Sequence, residues 1–61
     1  MMQIDIQCGN YRNISTGFAY VVQAYRGGQW VDLKEFNGGF MWSQSRDLTR
    51  ALDAEEKRKH G

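Results

Sequence analysis

The chain has 61 residues and a net charge of +1, from eight Lys/Arg against seven Asp/Glu. A chain this size forms one domain at most, burying only about 60% of its unfolded surface, and its near charge balance gives no general attraction to nucleic acid or an anionic membrane. The single cysteine excludes an intrachain disulfide, and Cys8 with His60 is too small a ligand set for zinc, so no metal or cofactor is expected.

From the N-terminus, Met2, Ile4, Ile6 and Cys8 alternate with Gln3, Asp5 and Gln7, which predicts a half-buried strand over about 2–8. Cys8 in that run reads as a small buried hydrophobe in a reducing cytoplasm. The segment has neither a basic n-region nor an apolar h-region, and no apolar run reaches membrane-spanning length. A cytoplasmic location without membrane contact is therefore expected. Residues 9–17 (GNYRNISTG) are turn-rich and read as a loop carrying Tyr11 and Ile14.

Gly27-Gly28 separates two alternating runs, FAYVVQAYR and QWVDLKEF, and predicts a hairpin of strands 18–26 and 29–36. A two-residue loop sets Arg26 against Gln29, Tyr25 against Trp30, Ala24 against Val31, Gln23 against Asp32 and Val22 against Leu33. One face then holds Tyr20, Val22, Ala24, Val31 and Leu33, an aliphatic set suited to the core. The other holds Val21, Gln23, Tyr25, Trp30, Asp32, Lys34 and Phe36, mixing aromatics with charge as a partly exposed face does. Asn37-Gly38 repeats the turn signal and predicts a strand over 40–44, with Phe40 and Trp42 on the core face and Met41 beside Lys34. A loop at Gly38-Gly39 would flip all three; Asn-Gly is preferred because it puts the larger rings on the aliphatic face.

After Gln44 the period lengthens to that of a helix, expected over 46–59. Ser45 suits the N-cap, Asp47 the first turn, and Leu48, Ala51, Leu52 and Glu55 form an inward stripe. Asp53 with Lys57 and Glu55 with Lys59 are spaced for ion pairs along the helix. Lys57, Arg58, Lys59 and His60 crowd the last turn, where cations suit the helix dipole. The expected fold is α+β: one domain over 1–61, an antiparallel three- to four-stranded β-meander with one C-terminal helix packed on one face.

No catalytic constellation emerges. Asp5, Asp32 and Glu35 are the carboxylates outside the helix, each on a strand face or near a turn, where charge keeps a sheet solvated. A Cys8–His60 dyad would place its base at the penultimate residue, where chains fray. Both glycine pairs lead into predicted strands, whereas a phosphate cradle must lead into a helix. An enzyme is not expected. Tyr25, Trp30, Phe36 and Met41, rimmed by Arg26, Gln23, Asp32 and Lys34, are instead a candidate surface for a protein partner or a homodimer, because these ring types and Arg dominate interface hot spots. The alternative reading is a DNA- or RNA-binding accessory protein that uses the same sheet face, with Tyr25, Trp30 and Phe36 as stacking platforms for bases, and a basic C-terminal tail of Lys57, Arg58 and Lys59.

The RGGQWVDL hairpin, the short strand expected after it and the charged RALDAEEKRK helix resemble those of small single-domain accessory proteins encoded by phages and prophages. That resemblance spans about residues 18–60. It implies a compact surface that binds and blocks a host protein, as in anti-CRISPR and anti-restriction factors, and it assigns no functional residue. The strands-then-helix order is also similar to the arm-binding domains of phage integrases, whose sheet enters DNA and is rich in Lys and Arg. Gln23, Asp32, Lys34 and Glu35 occupy the corresponding strands here and depart from that charge pattern.

Overall fold

A computed structural model describes residues 2–60; Met1 and Gly61, the two ends of the expected domain, lie outside the described residues. Four strands, β1 (Gln3–Cys8), β2 (Tyr11–Ser15), β3 (Ala19–Arg26) and β4 (Gln29–Asn37), form one antiparallel sheet in the order β1-β2-β3-β4. A 3-10 turn (Gly39–Met41) leads into helix α1 (Trp42–His60). The α+β meander with one C-terminal helix is the expected architecture, although two of its elements come from different residues than the periodicity indicated.

The first difference is β2. Residues Tyr11–Ser15 form a strand, where the polar segment GNYRNISTG read as a loop. Its turn is Gly9-Asn10, with Gly9 at φ 59° and Cys8 paired with Tyr11. Gly-Asn is itself a two-residue hairpin signal, here hidden by polar neighbours. The second difference follows β4. Residues 40–44 form no strand: Gly38, at φ 104°, ends β4, and the chain enters the 3-10 turn and then α1. Phe40 and Trp42, expected in the core, are 84% and 41% exposed.

The Gly27-Gly28 hairpin forms as expected, with both glycines at positive φ (61° and 83°), the geometry of a two-residue turn matched to strand twist. Arg26–Gln29, Tyr25–Trp30, Ala24–Val31 and Gln23–Asp32 pair as the loop dictates. A β-bulge then makes Leu33 an extra residue, so Val22 pairs with Lys34 rather than Leu33. From that point β4 is displaced by one residue, and the side-chain alternation of its second half is reversed. Leu33 and Val31, expected in the core, are exposed.

Helix α1 packs across β1, β2 and β3 and leaves β4 largely uncovered. Beneath it lie Tyr11, Asn13, Val22 and Ala24, all buried. On the opposite face Ile14 and Val21 pair across β2 and β3 and are also buried, giving that face a small apolar centre of its own. The helix meets the sheet through an unexpected stripe. Ser45 and Thr49 are fully buried and Leu48, Leu52 and Glu56 half-buried, while Ala51 and Glu55, assigned to the inward stripe by periodicity, are exposed. Ser45 is inside the helix, not its N-cap: its Oγ donates to the Trp42 carbonyl at 2.9 Å, and Thr49 Oγ1 donates to the Ser45 carbonyl at 2.9 Å. Both hydroxyls are satisfied within the helix, so two small polar residues can be buried at low cost and let the helix approach the sheet closely. No helix among the described residues is long and apolar enough to cross a membrane.

Candidate functional site

Strand alternation places Arg12 of β2, Gln23 and Tyr25 of β3, and Trp30 and Asp32 of β4 on the face opposite α1. Their side chains interlock. Arg12 Nε donates to Gln23 Oε1 at 2.7 Å, and Gln23 Nε2 donates to Asp32 Oδ1 at 2.6 Å, so one amide bridges a cation and an anion on neighbouring strands. The Arg12 guanidinium lies 4.2 Å from the centre of the Trp30 ring. Tyr25 meets the same ring edge-on, with centroids 5.2 Å apart and planes at 61°. A cation–π contact at an exposed site contributes about 0.5–1 kcal/mol and an aromatic pair about 0.5–1.5 kcal/mol beyond area burial. These contacts fix the rotamers of side chains that are otherwise costly to order on binding. Tyr25 and Asp32 are exposed, Arg12 and Trp30 half-buried, and Gln23, at the centre of the ladder, buried.

The expected partner surface is therefore split. Gln23, Tyr25, Trp30 and Asp32 come together as one cluster. Lys34 and Phe36 do not join it: the bulge at Leu33 turns them to the α1 side, where the Lys34 ammonium lies 5.3 Å from the Phe36 ring centre. Arg26 also points to the α1 side, lining an open groove of about 290 Å³ with Tyr11, Leu52, Glu56 and His60. Met41 sits half-buried in the 3-10 turn, away from the cluster. Arg12 was missed because its segment read as a loop. Once Tyr11–Ser15 is recognised as a strand, alternation sets Arg12 on the face away from Tyr11 and Asn13, and the β2–β3 register pairs it with Gln23.

The nucleic-acid candidates lie in the last turn of α1, which is helical to His60. Lys57 Nζ is 3.0 Å from Asp53 and Lys59 Nζ 3.6 Å from Glu55, both pairs in the expected helical spacing. Two of the three cations thus have their charge offset by carboxylates of the same helix.

A second polar cluster anchors the start of α1. A β-bulge in β1 sets Ile4, paired with Ile14, on the opposite face from Ile6, paired with Asn13, and leaves Asp5 on the helix side, although alternation placed Ile4 with Ile6 and Asp5 on a solvated face. Arg46 grips the Asp5 carboxylate with Nε at 2.8 Å and Nη2 at 3.2 Å, Trp42 Nε1 donates to it at 3.1 Å, and Asn13 Nδ2 at 3.0 Å. The Arg46 guanidinium also stacks 4.2 Å from the Trp42 ring centre. The hydrogen bond from Arg46 holds the Asp5 carboxyl below its usual value, against the opposing effect of partial burial and with help from Trp42 and Asn13. Each group here is used in joining helix to sheet. Cys8 is a free thiol, half-buried on β1 opposite Tyr11. Among the described residues no group of three or more His, Cys, Asp or Glu side chains is placed to hold a metal ion.

No protein-family model matches the chain, and neither a curated protein nor a solved structure matches it.

Proposed function

We propose that this protein is a non-enzymatic interaction module that docks a protein partner on the helix-free sheet face, acting as an inhibitory accessory protein of the phage-encoded kind. The observation that supports this reading is the Arg12–Trp30–Tyr25 stack, locked by the Arg12–Gln23–Asp32 ladder and open to solvent. Trp, Tyr and Arg are the side chains through which interfaces gain most of their binding energy. A cluster ordered before the partner arrives loses less entropy on binding than a mobile one. The paired state of Lys57 and Lys59 weighs against a nucleic-acid arm, and the face itself sets Asp32 and Glu35 against Arg12.

Affinity capture from lysate of the host, comparing wild type with Tyr25→Ala/Trp30→Ala, tests the proposal. The wild type should retain a specific partner, and the double variant should lose it by about a hundredfold or more in affinity. Recovery of the same partners at the same strength would remove this face from consideration. If the ligand were instead nucleic acid, retardation would fall steeply with salt and respond to neutralising Arg58, with Trp30→Ala leaving it unchanged.

A further inference from the structure

The two most exposed aromatic rings among the described residues share one end of the molecule. Phe18, in the turn between β2 and β3, is 90% exposed; Phe40, in the 3-10 turn after β4, is 84% exposed. Gly38 ties the two turns together. Its amide donates to the Phe18 carbonyl at 3.4 Å, and a methyl group at its Cα would meet the Phe40 ring at 2.9 Å. The turns are already shaped by Gly17 and Gly38 at positive φ and by the Thr16–Ala19 hydrogen bonds. Phe40 lays its ring edge over Gly38, and neither ring is buried in the core.

The two turns and the segments around them carry no charged side chain. Residues 13–25, which include the first turn, and residues 36–45, which include the second, contain no Lys, Arg, Asp or Glu. A patch without cations attracts neither phosphate nor an anionic membrane. A two-fold interface sets a surface against its own copy, so any charge near the axis meets its like. The helix-free face, with Arg12, Asp32 and Glu35, and the charged outer side of α1 lack the neutrality of these turns. Aromatic side chains bury about 150–250 Å² each, so two rings this exposed supply roughly 300–400 Å² of the ~800 Å² that a standard interface takes from each partner.

We propose that the Phe18/Phe40 end is a self-association surface, on which a second copy of this chain docks about a two-fold axis. The dimer would leave the helix-free face available to a different protein.

Sedimentation velocity over a wide concentration range tests this with the full chain. The wild type should shift from one-chain to two-chain mass as concentration rises. Phe18→Ser/Phe40→Ser should remain at one-chain mass with an unchanged circular dichroism spectrum, its dimer dissociation constant raised by at least about a thousandfold. Gly39→Glu, at a site with no heavy atom within 4 Å of an added Cβ, should also weaken the dimer, and added salt should restore it by screening the facing carboxylates. Should the double serine variant misfold, the salt reversal in Gly39→Glu decides the matter. One-chain mass for the wild type throughout, or undiminished dimer in these variants, overturns the proposal.

Discussion

Ser45→Leu should destabilise the fold by about 3 kcal/mol, although it adds an apolar side chain to the helix face that meets the sheet. Ser45 is fully buried, as are Thr49 one turn on and Asn13 and Val22 beneath α1. A leucine there must push the helix off the sheet or adopt a strained rotamer, because close-packed interiors cannot absorb three added carbons. Either response also disturbs the Arg46–Asp5 contact that begins one residue later. For a domain of this size 1 kcal/mol moves the melting temperature by roughly 4–8 °C, so the drop should exceed about 12 °C. Ala51→Leu is the matching control: its site is exposed, and the change should stay within about 0.5 kcal/mol. Thermal unfolding followed by circular dichroism measures both. The reverse ranking would mean that the helix faces the sheet through Leu48, Ala51 and Leu52, as apolar periodicity suggests.

That contrast shows where the sequence was readable. The Gly27-Gly28 hairpin is a local event: two glycines at positive φ between β-formers fix four cross-strand pairs, and all four are present. The existence of α1 and its two ion pairs along the last turns depend on spacing alone and were likewise legible. Asn13 was not. Asparagine in a polar stretch signals a loop, and what buries it completely is Asp5 across the sheet and a helix that begins 29 residues later. Its Nδ2 is satisfied by Asp5, while its Oδ1 has no hydrogen-bond partner. The bulges at Asp5 and Leu33 carry no glycine to announce them. They nevertheless decide which residues can act together, by turning Asp5 toward the helix and withdrawing Lys34 and Phe36 from the candidate site. Tyr25, Trp30, Gln23 and Asp32 stayed together because they lie between the turn and the bulge, where the register set by the glycines still holds.

Asp5→Ala should also cost about 3 kcal/mol, and here pH separates the cause from simple loss of packing. The Asp5 carboxylate accepts four hydrogen bonds from three side chains, two of them on α1, and its side chain is only 16% exposed. A hydrogen bond to a charged group contributes about 1.5–3 kcal/mol net, and stranding the donors left behind adds to the loss. Asn13 would then have both ends of a fully buried amide unpartnered. In the folded state the Asp5 pKa lies below its ordinary value of 3.8, first because Arg46 hydrogen-bonds the ionised form. A depressed folded-state value means that the unfolded chain takes up the proton first as pH falls. The stabilisation is therefore complete well above pH 3.8 and disappears as the pH drops through the folded-state value. Asp5→Asn keeps the shape and removes the charge, so it should be less stable than wild type at neutral pH. That difference should shrink as pH is lowered through and below the ordinary carboxylate value, since the other carboxylates act equally in both proteins. Urea unfolding of the two proteins across this range reads the difference directly. A gap that stays constant from neutral to strongly acidic solution would show that the ionised carboxylate does not hold the helix to β1, and that packing around Trp42 and Arg46 does.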